Sequence, residues 1–186
     1  MASNASDDLG QRRAAIAKLY ETHFERVTRY ILIRIGDESE SEDLASEVFI
    51  RALRAAESYK ETGAPMEAWP FKIAHNIVVD HLRRRSRRPA AVPIDEAFSL
   101  AGSDNPAEEV ERQQALEEMR EALLGLSDAQ QKVLALRFGA ELSAEEVAAL
   151  LGKKPGAIRE MQSAAVKKLR TLLRRPAETD PSRPAA

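Results

Sequence analysis

The chain has 186 residues and a mass of 20.6 kDa, enough for one medium domain or two small ones. Its 44% apolar content excludes wholesale disorder, and no run approaches the roughly 18 apolar residues of a membrane span. Zero cysteines exclude disulfides, thiolate metal sites and a cysteine nucleophile, and the net charge of -2 argues against a nucleic-acid partner only where charge is evenly spread.

The charge is not evenly spread. Residues 1–88 carry 15 bases and 14 acids, residues 89–112 one base against six acids, and residues 113–186 12 bases and 10 acids. Two balanced ends therefore flank an acidic middle. The densest basic feature runs from Arg83 to Arg88, with five arginines in six residues. A local cluster of that kind can bind phosphate whatever the total charge. The N-terminus, MASNASDDLG, lacks the basic and then apolar pattern of a signal sequence. With the absence of cysteine, this leads to the expectation of a cytoplasmic protein.

Apolar groups at Ile16, Tyr20, Phe24, Val27, Ile31 and Ile35 predict a first helix, ended by Gly36. Ser39 with Glu42 has capping-box spacing and predicts the start of a second, with Leu44, Val48, Phe49 and Ala52 on one side. Residues 60–68 contain Gly63 and Pro65 and read as a loop. Pro70 suits the first turn of a third helix, whose stripe includes Ile73, Ile77 and His81 and which runs on to Pro89. Residues 89–107 read as a linker with a short turn at 94–100. Helices resume at 107–123. Ser127 with Gln130 and Ser143 with Glu146 predict two more capping boxes, Gly139 and Gly152 mark breaks, and Pro155 opens a last helix. The tail from Pro176 is polar and Pro-rich and is expected to be disordered. The fold class is thus all-α: two small helical domains joined by an extended acidic linker, the second containing a helix-turn-helix. The boundaries are 10–88, a linker at 89–112, 113–174, and a tail at 175–186.

Residues 142–170 have the outline of a helix-turn-helix, in which the second helix enters the major groove. Lys153 and Lys154 at its start can hold phosphates and Arg159 can reach a base edge, although two short helices around a glycine also occur in ordinary bundles. Ile158, Met161, Val166 and Leu169 are assigned to core packing. The Arg83–Arg88 run would make binding salt-dependent; its alternative is a solvated helix end, where arginine also suits the helix dipole. Trp69 can stack on an unpaired base or anchor a core. His23, His75 and His81 form no metal spacing, and no phosphate loop or nucleophile elbow occurs, so no enzyme, metal site or cofactor is expected.

With these elements in place, the chain resembles a bacterial sigma factor of the extracytoplasmic function group within the sigma-70 family. SEDLASEVFIRAL resembles the region-two signature, WPFKIAHNIVVDHLRRRSRR its continuation, and the stretch from Leu126 to Leu173 resembles region four. The resemblance covers about residues 16–88 and 113–173. It implies that Asp43, Glu47, Val48 and Phe49 match the surface that docks on the beta-prime clamp helices of core RNA polymerase. The loop 58–68 matches the segment that captures a flipped base of the promoter -10 element, and Trp69 matches a family tryptophan beside it. Asn76, Asp80, Arg83, Arg84 and Arg87 match the helix that meets the -10 element. Lys153, Lys154, Arg159 and Gln162 are the candidates for -35 contacts in the module that also docks on the beta flap, and an anti-sigma factor is an expected partner.

The recognition helix departs from the family pattern. It reads Lys154-Pro155-Gly156-Ala157-Ile158-Arg159-Glu160-Met161, with Glu160 and Met161 where small polar and basic residues are usual. Ser46 stands where glutamine is more usual. Two other readings are an autonomous helix-turn-helix regulator and an adaptor that keeps only protein-docking surfaces. The region-two signature argues against the first, and the arginine run against the second.

Overall fold

The computed structural model describes residues 2–59, 66–86 and 106–174. These form seven α-helices: α1 (Ala2–Ile35), α2 (Glu38–Arg54), α3 (Trp69–Arg85), α4 (Pro106–Leu124), α5 (Asp128–Leu134), α6 (Ala144–Leu151) and α7 (Pro155–Arg174). Helix α5 runs directly into a π-helical turn, Ala135–Gly139, and 3-10 turns lie at Ala56–Ser58 and Met66–Ala68. No strand occurs among the described residues.

Local signals set most helix ends. Gly36 follows α1 with φ 77 and Gly152 follows α6 with φ 63, the left-handed conformation that glycine adopts without a Cβ clash. Both later capping boxes form in full. The Ser127 hydroxyl accepts from the Gln130 amide while Gln130 accepts from the Ser127 amide, and Ser143 and Glu146 do the same. Each satisfies donors that a helix start otherwise leaves unpaired.

The first capping expectation is corrected. Asp37, not Ser39, caps α2: its backbone is extended and its Oδ1 accepts from the Glu40 amide at 2.8 Å. Ser39 and Glu42 lie inside the helix. Three other boundaries move. Helix α1 begins well before Ile16; α3 ends at Arg85, with Ser86 after it; and α4 begins at Pro106, so the last residues assigned to the linker are helical. The turn expected at 94–100, the tail, Arg87 and the centre of the 60–68 loop lie outside the described residues.

The two helical regions stand as expected, but they also share a core, which the linker reading did not predict. Val27, Tyr30 and Ile31 of α1 lie in one buried cluster with Phe49, Phe71 and Val78 of the first region and with Leu136, Leu142, Val147 and Ile158 of the second. Helix α1 packs on α2 and α3 and also on the π-helical turn. Gly139 permits this approach. A Cβ there would stand 2.7 Å from Ile33 Cδ1 and 3.3 Å from the Tyr30 Cα. A smaller cluster of Leu126, Leu134 and Ala165, with Leu123 packed against it, joins α4, α5 and α7.

Three arginines of α1 edge this contact. Arg26 donates from Nε and Nη2 to the Ala140 carbonyl at 2.9 and 2.7 Å. Arg29 reaches Glu141 Oε1 at 2.6 Å. Arg34 is buried and donates to Asp128 Oδ1 at 2.5 Å and to Gln131 Oε1 at 3.2 Å. Glu141 has φ 55, a left-handed conformation that costs a non-glycine residue about 1–2 kcal/mol, so the bonds that fix this corner hold it against backbone strain.

Candidate polymerase and nucleic-acid interfaces

Helix α2 divides its signature between core and surface. Asp43 is exposed and Glu47 is partly so, with Glu47 Oε1 accepting from Arg51 Nε at 2.8 Å. Val48 and Phe49 face inward, at 0% and 3% exposure. Phe49 packs against the rings of Tyr20 and Phe24, with centroids at 5.2 and 6.2 Å. These two residues support the helix from beneath and present no docking surface here. Ile50 and Leu53, at 42% and 43% exposure, are the apolar groups α2 turns outward, and they went unnoticed in the sequence. Their spacing of seven and ten residues from Asp43 was the available signal.

Helix α3 carries a continuous exposed stripe. Asn76, Asp80, Arg83 and Arg84 all lie on the surface; Asp80 is four residues beyond Asn76, and Arg83 and Arg84 are three and four beyond Asp80, spacings that return to one side of a helix. Lys72, one turn before Asn76, is exposed and extends the stripe, so it joins the candidates. Arg85 plays another part. Its Nη1 donates to the Ile35 carbonyl at 3.1 Å and satisfies the end of α1. Trp69 is half-buried, packs on the Ile16, Ala52 and Ala56 cluster and meets the Tyr59 ring at 4.7 Å, so its indole is held against the core of the first region.

The helix-turn-helix forms from α6, Gly152 and α7. Lys153 and Lys154 are exposed where α7 begins, at the positive end of the helix where free amides favour phosphate. Ile158 is buried, and Met161, Val166 and Leu169 are partly buried against the core, as their packing assignment requires. Arg159 is exposed and forms an ion pair with Glu145 of α6. Gln162 is half-buried, and its Oε1 accepts from Arg137 Nε at 2.8 Å. Arg137 also donates to the Leu142 carbonyl, tying the corner after the π-helical turn to α7. This leaves Lys153 and Lys154 as the open cations of the group, with Arg159 and Gln162 already engaged within the fold.

A titratable cluster lies between the regions. The Tyr30 hydroxyl is 3.1 Å from His75 Nδ1, and Arg34, Lys132 and Asp128 surround the pair. Burial, and then the charges of Lys132 and Arg34, hold the His75 imidazole below its usual value of 6.5, against the opposing charge of Asp128. Burial alone would raise Asp128, but the hydrogen bond and charge of Arg34, helped by Lys132, hold its carboxyl below the usual range. Burial also pushes the Tyr30 phenol up. No group of three or more metal-ligating side chains occurs among the described residues, and no described helix is long and apolar enough to cross a membrane.

Comparison with known proteins matches the two halves separately. Residues 19–88 match the sigma-70 region 2 family and residues 122–171 the sigma-70 region 4 family. The chain is 33% identical over 159 residues to the ECF RNA polymerase sigma factor BldN of Streptomyces coelicolor, covering 86% of this chain and 60% of that protein. It is 38% identical over 134 residues to the ECF sigma factor ShbA of Streptomyces griseus, covering 70% of each. In fold it is similar to the sigma factor RpoE of Bartonella quintana, solved in complex with the anti-sigma factor NepR: TM-score 0.62, 21% identity, 84% of this chain and 95% of that one. The chain belongs to the sigma-70 family of RNA polymerase sigma factors, in its extracytoplasmic function (ECF) group. Members of that group direct RNA polymerase to promoters and are not enzymes.

Proposed function

We propose that this chain directs core RNA polymerase to a specific set of promoters and stabilises the melted -10 element, with catalysis supplied by the polymerase. The observation that carries the reading is the exposed stripe of Asn76, Asp80, Arg83 and Arg84 on α3, the helix that opens at the half-buried Trp69. A regulator that reads only duplex DNA has no use for a polar and basic face next to a base-capturing loop. Asp43 and Glu47 form the acidic edge that docks on the beta-prime clamp helices, with Ile50 and Leu53 adding apolar area. Lys153 and Lys154 hold -35 phosphates, region four also meets the beta flap, and an anti-sigma factor restrains the protein in the cytoplasm. Support for the last partner comes from the similarity in fold to a sigma factor solved with one. The acidic linker suits a path built for RNA.

The test is reconstituted transcription. Purified protein with core polymerase should initiate at cognate genomic promoters that core alone ignores. No specific start on any of them sinks the reading.

A further inference from the structure

The arginine run is interrupted at one position, Ser86. This serine directly follows α3, is exposed, and has near-helical φ and ψ of -65 and -17. Its amide donates to the Leu82 carbonyl at 2.9 Å, and its Oγ donates to the Arg83 carbonyl at 3.0 Å. The hydroxyl thus sits at the surface on a single local bond that water can replace. Arg83, Arg84 and Arg85 fill the three positions before it, all exposed, and Arg83, three residues back, shares its side of the helix. Other hydroxyls are placed differently. Ser41 is buried, and Ser127 and Ser143 hold their helix caps. Thr171, which also follows basic residues, lies inside α7 with its Oγ1 on the Lys167 carbonyl.

A phosphate on Ser86 would act on both roles of the run. It carries about -1.5 to -2 charges and three acceptor oxygens, enough to offset the two charges of Arg83 and Arg84. Arg83 lies within reach of a charge-assisted bond to it, which turns that guanidinium away from DNA. The phosphate also stands at the negative end of the α3 dipole, where it loosens the last turn. That turn holds Arg85, whose Nη1 donates to the Ile35 carbonyl at 3.1 Å.

We propose that Ser86 is a phosphorylation site, read through its three preceding arginines by a serine kinase with an acidic substrate groove, and that the phosphate releases α3 from promoter DNA. The proposal rests on the reading of Arg83 and Arg84 as part of the -10 face. In the transfer, Ser86 Oγ attacks the γ-phosphorus of a nucleoside triphosphate held by the kinase. The new P–O bond forms as the bond to the β-phosphate oxygen breaks. The nucleoside diphosphate leaves, and the hydroxyl proton passes to the kinase's base.

The test has two arms. The chain isolated from its source organism, during growth and under stress, should gain the mass of one phosphate on the peptide that holds Ser86. No phosphate there in any state, or phosphate on Thr171 alone, overturns the proposal. In the second arm the full chain is phosphorylated with ATP and an arginine-directed serine kinase, then assembled with core polymerase. Promoter binding should weaken about tenfold at 0.1 M salt, and its log-log salt slope should fall by roughly 1.4–1.8, two phosphate contacts' worth. Core affinity should hold. Ser86→Ala should accept no phosphate at this position and bind DNA as the unmodified chain does. Ser86→Asp, with one negative charge, should show about half the change in slope. Arg83→Ala with Arg84→Ala is the control for the reading beneath. If that variant is weakened on DNA but the phosphorylated chain is not, the switch is overturned and the reading stands. If the variant binds DNA undiminished, the reading of the run fails and the switch fails with it. Equal loss of core and promoter binding on phosphorylation overturns the proposal in favour of a general loss of fold.

Discussion

Arg26 on α1 donates both Nε and Nη2 to one backbone carbonyl, that of Ala140, 114 residues further along the chain. The bond joins the helix that anchors region two to the corner that follows the π-helical turn of region four. Around it, Arg29 meets Glu141 and Arg34 meets Asp128. The two regions thus dock through a seam that is apolar at its centre and charged at its edge.

The seam depends on the missing side chain at Gly139. Gly139→Ala places a methyl against the Tyr30 backbone, which cannot move aside as a flexible side chain can. Overpacking of this kind costs about 1–3 kcal/mol. The variant should lose docking between regions while keeping its helix content, seen as a larger radius of gyration in solution scattering at unchanged circular dichroism. Gly156→Ala meets nothing within 4 Å and should leave the radius unchanged, with stability the same or up to about 1 kcal/mol higher. Equal radii for the two variants would contradict the role given to Gly139.

Acidification should weaken the folded, docked form. His75 has a lowered pKa, so between that value and 6.5 the unfolded chain takes up a proton that the folded chain resists. Stability is therefore full above about pH 6.5 and falls as pH drops through this window. His23, lowered by burial and by Arg26, adds to the same slope. Asp128, held below 3.8 by Arg34 and Lys132, contributes stability above that value that is lost as pH falls through its folded pKa. Chemical denaturation across pH 5–8 should show the decline, and His75→Gln should flatten it. A slope unchanged by that substitution would remove His75 from the account.

The arginine run should split by position. Arg83→Ala with Arg84→Ala should weaken promoter opening more than core binding. It should also reduce the salt dependence of DNA binding by roughly 0.7–0.9 in log-log slope for each phosphate that is no longer neutralised. Arg85→Ala should instead cost about 1 kcal/mol of stability by removing the bond to the Ile35 carbonyl, with little change in the salt slope. Equal loss of core binding and opening in the double variant would point to a docking role for the run.

Arg159 should be released by removing its partner. Glu145→Ala frees the guanidinium and removes a negative charge beside α7, so binding to -35 duplex should strengthen by up to about fivefold, the upper range for an exposed pair. Weaker binding by that variant would show that Glu145 aims Arg159 at the DNA.

What could be read from the sequence was local or periodic. The boxes at Ser127 and Ser143 and the turns at Gly36 and Gly152 depend on residues within one helical turn, and the α3 stripe on simple spacing. Asp37 went unnoticed because the Ser39–Glu42 spacing satisfies the same pattern two residues later. Val48 and Phe49 belong to the signature of a docking helix, yet the aromatic ring of Phe49 has Tyr20 and Phe24 to fill against. The seam between regions had no sequence signature. Its anchor is an arginine bonded to a backbone carbonyl more than a hundred residues away, and any residue can supply a carbonyl.

Synthesis of the chain imposes an order on that seam. Helix α1, which carries Val27, Tyr30 and Ile31 on one face, leaves the ribosome before region four, while Leu136 and Ala140 are still about a hundred residues from being made. At roughly 5–20 residues per second, part of that face waits on the order of 5–20 s for its cover. During that interval the newborn chain exposes to chaperones and to other nascent copies an apolar surface that the finished protein hides.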